Sequence, residues 1–439
     1  MRIINLISKP AHALTGEISV PGDKSISHRS IIFGALAKGT TVINGFLDGE
    51  DCMATLRAFQ AMGVIIEGPD EQQVVIYGVG KHGLKKPEQV IDCGNSGTSM
   101  RLLAGLLAAQ SFDSQLTGDE SLLKRPMLRI SKPLTQMGAE ISTVDGKPPL
   151  TIKGGKKLHG IHYAMPEASA QVKSCILLAG LYAQGETSVT ETGVSRNHTE
   201  VMLESFSYPV RRSENTISIN SNSECMATEI FVPGDISSAA FFMVAATIIP
   251  GSDILIRHVG INPTRTGIIH ILLEMGADIT LLNQRQQGEE WVADLHVRYA
   301  PLSGINIPEE LVPLAIDEFP IIFIAAACAR GQTTLHGAKE LRFKESDRIA
   351  AMVNGLAQLG INAQALDDGA LIEGGTLQGG TVDSLCDHRI AMSFAIAGAV
   401  ASEPIIVKNC ANVATSFPLF VSTAKELQLQ IEDVADNVR

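Results

Sequence analysis

Val20-Pro21-Gly22-Asp23-Lys24-Ser25-Ile26-Ser27-His28-Arg29 stands directly before an apolar segment. Its opening recurs at Val232-Pro233-Gly234-Asp235-Ile236-Ser237-Ser238-Ala239, again ahead of an apolar run, Phe241 to Ile249. Pro-Gly marks a turn in each copy and the run behind it reads as a helix. One device is therefore used twice, and only the first copy carries Lys and Arg. That asymmetry makes the first copy the candidate catalytic hinge.

Outward from these two copies, apolar, Ala-rich segments occur six times: Ser25 to Ala37, Ser96 to Ala109, Ser169 to Tyr182, Ser237 to Ile249, Glu318 to Ala329 and His388 to Val400. Each is apolar on most sides, and the one proline among them, Pro320, falls in a first turn, so each predicts a helix enclosed by other elements. Several are followed by Gly and an alternating stretch, as in Gly39-Thr40-Thr41-Val42-Ile43 and Gly331-Gln332-Thr333-Thr334-Leu335. There the period changes from helix to strand.

A second, amphipathic helix is expected in each unit, ending at Met62-Gly63, Met137-Gly138, Met275-Gly276 and Leu359-Gly360. Thr199 to Pro209 and Leu419 to Leu427 fill the two remaining places. The unit predicted is strand, buried helix, strand, exposed helix, strand, repeated six times. Repeats this long are mixed α/β modules, and the duplicated Val-Pro-Gly-Asp divides them three and three. The expectation is a discontinuous lobe, 1–21 plus 234–439, and an inserted lobe, 22–233, with the active cleft between them and the two crossings as hinge.

The chain has 439 residues, too many for one core, and a formal net charge of −12, which argues against a nucleic-acid-binding face. Seven cysteines, Cys52, Cys93, Cys175, Cys225, Cys328, Cys386 and Cys410, lie far apart without a C-x-x-C pair. Neither a disulfide frame nor a zinc site is indicated, and a reduced cytoplasm fits. The start, Met1-Arg2-Ile3-Ile4-Asn5-Leu6, is soon interrupted by Lys9-Pro10 and lacks the apolar core of a signal peptide. The longest apolar runs reach about half of the ~18 residues a membrane span needs. No membrane role is expected, and with no exposed apolar helix stripe the chain is expected to be a monomer.

The polar residues that look costly collect at the starts of the buried helices: Lys24, Ser25 and Arg29; Asn95, Ser96, Thr98 and Arg101; Ser169 and Gln171; Asp317 and Glu318; Asp387, His388 and Arg389. Helix N-termini offer free N–H donors and partial positive charge, so several converging on one cleft make an anion site. Further cations stand in loop or turn context at Lys124-Arg125-Pro126, Ser195-Arg196-Asn197-His198 and Lys344-Glu345-Ser346-Asp347-Arg348. Taken singly, each motif has a structural reading. Gly94-Asn95-Ser96-Gly97-Thr98 serves as a helix cap, Lys344 to Arg348 as a solvated helix face, and Asp387-His388-Arg389 as a cap with an ion pair. His28 and His388 lack a second ligand at metal spacing and read as packing or positioning residues. Taken jointly the structural reading fails, because five of the six repeats put their oddest polar residues at the same place.

In their order and spacing, Pro21 to Arg29, Gly94 to Thr98 with Arg101, Arg125-Pro126-Met127, Ser169-Ala170-Gln171, Ser195-Arg196, Asp317-Glu318, Lys344 to Arg348 and Asp387-His388-Arg389 resemble one family over nearly the whole chain. It is the 5-enolpyruvylshikimate-3-phosphate synthase family of enolpyruvyl transferases. The resemblance implies an α/β fold of two lobes, six repeated units in all, closing over substrate. It also implies transfer of the enolpyruvyl group of phosphoenolpyruvate to the 5-hydroxyl of shikimate 3-phosphate, with release of phosphate and with no metal or organic cofactor.

By the same resemblance, Lys24, Ser25, Arg29, Ser169, Ala170, Gln171, Arg196, Asp317 and Lys344 bind shikimate 3-phosphate. Lys24, Gly97, Arg125, Gln171, Arg348 and Arg389 bind phosphoenolpyruvate. The chemistry asks for one proton to leave the 5-hydroxyl and one to reach the methylene carbon. Asp317 is the candidate base, Glu345 the candidate acid, and Lys24 the residue that polarises the bridging oxygen. A Glu kept protonated there needs burial or anionic neighbours.

Two departures stand out. Where one branch of the family has Lys in an Ala-Lys-Thr-Phe-Pro run, this chain reads Ala414-Thr415-Ser416-Phe417-Pro418, and after Arg101 it has Leu102 where that branch has Pro. The wording of Arg125-Pro126-Met127 and Ala168 to Lys173 resembles the other branch. The nearest alternative is the sister transferase acting on UDP-N-acetylglucosamine, which carries a Cys in a Gly-rich loop where this chain has Lys124-Arg125-Pro126. A non-catalytic anion-binding protein is the alternative from a different class.

Overall fold

The structure is a computed structural model and describes residues 3–436. The chain divides into two compact bodies, one of Gly22–Val232 and one of the residues up to Pro21 together with those from Pro233 on. The first holds helices α1 (Lys24–Leu36), α2 (Glu50–Ala61), α3 (Gly97–Leu107), α4 (Leu128–Gln136), α5 (Ala170–Gly180) and α6 (His198–Ser205). The second holds α7 (Ile236–Ile248), α8 (Gly267–Glu274), α9 (Phe319–Ala327), α10 (Arg348–Gln358), α11 (His388–Ala397) and α12 (Phe420–Glu426).

Odd-numbered helices are the enclosed ones. Every residue of α7, α9 and α11 is buried, and α1, α3 and α5 are buried beyond their first turn or nearly so. Such helices need no polar face, which explains their Ala-rich, aliphatic composition. Even-numbered helices close with one repeated device. The residue after the C-cap lies at positive φ at Gly63, Gly138, Ser207, Gly276, Gly360 and Gln428. In each, two successive N–H groups turn back on the last turn: Gly63 and Val64 onto Gln60 and Phe59, Gly360 and Ile361 onto Ala357 and Leu356, Gln428 and Leu429 onto Lys425 and Ala424. This is the Schellman closure, and Gly adopts it without a Cβ penalty. Ser207 and Gln428 accept the same strained backbone, so those two helix ends carry no glycine signal.

In the first five repeats a hairpin, rather than the expected single strand, follows the even-numbered helix, whereas one strand, Gln430–Asp436, follows α12. In the first body three four-stranded sheets share one order, a parallel pair followed by two antiparallel strands. Ile91–Asp92, Ser114–Thr117, Lys147–Lys153 and Glu140–Val144 make one of them. The same order recurs in the second body with Thr15–Ser19, Asp253–Gly260, Glu290–Arg298 and Asp278–Gln287. A three-stranded sheet there has only an isolated parallel bridge, Asn306 to Thr334, where the others have their first strand.

The crossings exchange strands in a regular way. Thr15–Ser19 precedes the first Pro-Gly yet pairs with Asp253–Gly260, beyond the second, and Glu229–Phe231 precedes the second Pro-Gly yet pairs with Lys38–Asn44, beyond the first. Ile3–Lys9 lies between Ile405–Lys408 and Gln430–Asp436, filling the place a hairpin strand takes elsewhere. Each body is thus completed by a strand distant in sequence: Thr15–Ser19 and Glu229–Phe231 take the end positions of their sheets, and Ile3–Lys9 takes an interior one. Each also has its own apolar core, around α7, α9 and α11 in one and around α1, α3 and α5 in the other. Among the described residues no helix is long and apolar enough to cross a membrane.

Candidate active site

The predicted site residues fall into two clusters, one in each body. In the body of Gly22–Val232, α1 is capped by Asp23, whose Oδ1 accepts the Ile26 N–H at 2.9 Å. Lys24 follows at once, its Nζ 3.1 Å from Asp51 Oδ2 on the first turn of α2. One turn on, buried Arg29 donates from Nε to Thr199 Oγ1 at 2.7 Å and through another guanidinium nitrogen to Ser174 Oγ at 2.7 Å. Arg196 donates to Ser25 Oγ at 3.4 Å. The starts of α1 and α6, with Ser174 of α5 behind them, thereby bring Ser25, Arg29 and Arg196 together from two repeats.

The start of α3 builds the neighbouring part. Ser96 caps it, and a Cβ on Gly97, its first residue, would stand 3.0 Å from an Arg101 guanidinium nitrogen and 3.1 Å from one of Arg125. Arg125 is buried and donates to Asn95 Oδ1 at 2.8 Å, while Asn95 in turn donates to Asp119 at 2.7 Å. Gln171 accepts from Arg101 and donates to Thr98 Oγ1 at 3.0 Å. Ser169 caps α5, and Ala170 is its first helical residue.

Behind these groups, His28 Nδ1 is 2.8 Å from Thr55 Oγ1, and Thr55 and Ser99 are joined at 2.6 Å. Ser99 donates to Ser96 at 2.8 Å. Burial, then Lys24 and Arg29, push the His28 imidazole well below its ordinary range, so it stands neutral.

In the other body the chemistry gathers around Arg348, the first residue of α10. Arg348 is 1% exposed and reaches three carboxylates: Asp387 at 2.9 Å, Glu345 at 2.6 Å and Asp317 at 3.4 Å. Burial works against its charge, but Asp387, Glu345 and Asp317 together outweigh it and hold the guanidinium protonated. Asp387 is lowered in turn: burial opposes its charge, and Arg348 more than compensates. Asp387 also caps α11, accepting the Arg389 N–H at 2.9 Å. Cap and ion pair are thus one residue.

Lys344 lies 3.3 Å from both Asp317 and Glu340. Arg389 donates to the Asp317 carbonyl at 2.9 Å and approaches Glu318 at 3.5 Å. Glu318 also accepts from Ser237, and Ser237 accepts from buried Arg265 at 2.7 Å. The fold therefore brings Asp317, Lys344, Glu345, Arg348 and Arg389 together and adds Asp387 as their common anchor.

Several participants escape a reading of the sequence. Asp51 stands in an unremarkable acidic helix start, Thr199 and Ser174 are ordinary hydroxyls until Arg29 points at them, and Arg265 lies in a loop before α8. Lys173 did carry a signal: it is a lone cation inside the apolar run of α5, and in the structure it is fully buried against Glu191 and Glu200.

Cations and hydroxyls drawn from the starts of several helices are the groups that recognise small anionic ligands. A family model described as EPSP synthase (3-phosphoshikimate 1-carboxyvinyltransferase) matches residues 8–423. The chain is 74% identical over 431 residues to the 3-phosphoshikimate 1-carboxyvinyltransferase of Legionella pneumophila, covering 98% of this chain and 100% of that one. It is 62% identical over 424 residues to the protein of that name from Methylococcus capsulatus, at 96% and 97% coverage. Among solved structures, EPSP synthase from Acinetobacter baumannii superposes with a TM-score of 0.88 at 55% identity, over 99% of this chain and 100% of that chain. The chain belongs to the EPSP synthase family of enolpyruvyl transferases.

Proposed function

We propose that the protein transfers the enolpyruvyl group of phosphoenolpyruvate to the 5-hydroxyl of shikimate 3-phosphate by addition and elimination, releasing phosphate. The reaction belongs to the shikimate pathway, which leads to chorismate and the aromatic amino acids. The observation that carries this reading is that each body holds a cluster of cations at its helix starts, and that carboxylates stand among those of one cluster. Five cations, Lys24, Arg29, Arg125, Arg196 and Arg101, gather in one body, and Lys344, Arg348 and Arg389 gather beside Asp317 and Glu345 in the other. Two phosphates and two carboxylates need donors of this kind and number, and Arg meets such groups through its planar fork.

In this reading Lys24, Ser25, Arg29, Ser169, Ala170, Gln171, Arg196, Asp317 and Lys344 hold shikimate 3-phosphate, while Lys24, Gly97, Arg125, Gln171, Arg348 and Arg389 hold phosphoenolpyruvate. Asp317 is the base. Lys344 and Arg348, at 3.3 and 3.4 Å, favour its ionised form, the form that takes the 5-hydroxyl proton. Glu345 is the acid. Its Oε2 accepts from Arg348 at 2.6 Å, so a phosphoenolpyruvate anion drawing Arg348 toward itself takes away that cation and leaves a new anion beside Glu345. Those are the conditions under which a carboxyl keeps a proton to deliver to the methylene carbon. Lys24 polarises the bridging oxygen and assists phosphate departure, and the fixed arginines stabilise the charge that develops in the addition step.

The lobes 1–21 plus 234–439 and 22–233, with the substrates taken between them, are part of this proposal, as is action in the cytoplasm as a monomer. The deciding experiment follows phosphate release from phosphoenolpyruvate in EDTA, with shikimate 3-phosphate or UDP-N-acetylglucosamine as acceptor. Release with the shikimate ester alone is expected. Release only with the sugar nucleotide overturns the acceptor, and silence with both overturns the transferase reading.

A further inference from the structure

Lys173 sits four residues into α5, one turn behind Ser169, Ala170 and Gln171, yet its side chain is fully buried. Its Nζ lies 3.0 Å from Glu191 Oε2 and 2.7 Å from Glu200 Oε1. Glu191 directly follows the strand Glu186–Thr190, and Glu200 is in the first turn of α6. One ammonium therefore ties together the two ends of the connection 191–197. That connection carries Arg196. Inside it, Ser195 donates to the other oxygen of Glu191, so Glu191 is engaged on both sides.

The same cation stands behind Arg29. Arg29 is held by Ser174 and Thr199, each at 2.7 Å, and these two hydroxyls are themselves 2.6 Å apart. Ser174 is the neighbour of Lys173 in sequence and Thr199 the neighbour of Glu200. The pair Lys173–Glu200 thus fixes α5 against α6 at the level where both helices present a hydroxyl to Arg29. Removing the cation frees the separation of those hydroxyls and the course of 191–197 together.

We propose that Lys173 is a positioning residue for the acceptor substrate: through Glu191 and Glu200 it sets Arg196 and Arg29 for shikimate 3-phosphate while leaving the phosphoenolpyruvate groups Arg125, Arg348 and Arg389 unaffected. This rests on the reading that Arg29 and Arg196 hold shikimate 3-phosphate. Its signature is a split in apparent affinity between the two substrates, which a general loss of packing does not produce.

The test compares wild type with Lys173→Met, Lys173→Arg and the double variant Lys173→Met/Glu200→Gln, in which a carboxylate charge leaves with the cation. Thermal unfolding establishes that each is folded. KM for each substrate is measured by phosphate release, and shikimate 3-phosphate binding alone by calorimetry. Lys173→Met and the double variant should raise KM for shikimate 3-phosphate by ~10-fold or more, because a sub-ångström to 1 Å misplacement of binding groups has effects of that order. KM for phosphoenolpyruvate should stay within about twofold, and Lys173→Arg should recover part of the loss.

Folded variants with both KM values unchanged, or with both raised alike, overturn the proposal. Should neither Met variant fold, Ser195→Ala decides, since it loosens the Glu191 end of the same anchor: unchanged acceptor affinity there overturns it too. Arg196→Ala is run in parallel. If it leaves shikimate 3-phosphate affinity intact, the site reading has failed; if it weakens binding and the Lys173 variants do not, the positioning role alone has failed.

Discussion

Arg348 and Asp387 form a buried ion pair at 2.9 Å that joins the first residue of one helix to the N-cap of another. The pair is more than a local contact, because Asp387 also accepts from the Arg389 N–H and from Ser346 Oγ. A single carboxylate therefore orients two cations proposed to meet phosphoenolpyruvate. Glu345 and Asp317, proposed for the proton transfers, occupy the remaining faces of Arg348.

Asp387→Asn should lower stability by roughly 3–5 kcal/mol, since it strands a buried guanidinium whose other partners are less enclosed. The wild type should also show an acid dependence that the variant lacks. Asp387 has its carboxyl depressed in the folded state, so its contribution is complete above the ordinary carboxylate value of ~3.9 and is lost as pH falls through the lower, folded value. Urea unfolding of both proteins from pH 6 down to pH 3 reads this out. Curves that stay parallel across the range contradict it.

His28 gives a second pH dependence in a higher window. Burial, then Lys24 and Arg29, keep it neutral when folded, whereas the unfolded chain takes a proton below ~6.5. The unfolded state then binds more protons, so stability falls as pH falls, by up to ~1.4 kcal/mol per pH unit for this one group. His28→Asn, which keeps a hydrogen-bonding group near Thr55, should flatten the wild-type slope between pH 6.5 and 5. An unaltered slope would mean that His28 does not refuse the proton.

Gly97→Ala should weaken phosphoenolpyruvate more than shikimate 3-phosphate. The added methyl meets guanidinium nitrogens of Arg101 at 3.0 Å and Arg125 at 3.1 Å, so both side chains must yield by a few tenths of an ångström. Arg125 is proposed to hold phosphoenolpyruvate, so its displacement falls on that substrate first. A several-fold rise in KM for phosphoenolpyruvate with an unshifted thermal transition is expected. Equal changes for the two substrates would argue against this placement of Arg125.

Lys24→Met should cut kcat by ~10²–10³-fold, the range for loss of one preorganised electrostatic group, and leave the thermal midpoint within a few degrees of wild type. Lys24 is partly exposed and stands ahead of the buried part of α1, which begins at Ile26, so little packing depends on it. Loss of the unfolding transition would reassign Lys24 to the core.

Much of the fold is legible because its signals are local. Enclosed helices advertise themselves by runs such as Ile236 to Ile248, with no polar face to maintain, and four of six amphipathic helices end at a glycine. The other two end at Ser207 and Gln428, at φ +59 and +67, where the closing hydrogen bonds sustain a backbone that sequence statistics disfavour. The hairpin strands carry weaker local signals. Arg211–Ser213 is only three residues long and exposed, and acquires its identity by pairing with Thr216–Asn220. At the candidate site, residues at helix starts could be singled out because position and chemistry coincide there. Lys173, Asp51, Thr199 and Arg265 could not be assigned in this way, since their partners lie far away in the chain.

The sequence by itself determined the six repeats, the two Pro-Gly crossings, the helix starts that gather cations and the family to which their order belongs. These are properties of short stretches, set by periodicity, capping chemistry and backbone freedom. Only the tertiary structure decided which strand completes which sheet, that Asp387 pairs with the Arg348 guanidinium, and that a buried lysine stands behind Arg29 and Arg196. Pairings of that sort join residues more than four hundred positions apart, as Ile3–Lys9 does with Gln430–Asp436. They depend on which surfaces remain unsatisfied once each repeat has folded, and no local stretch of sequence encodes that remainder.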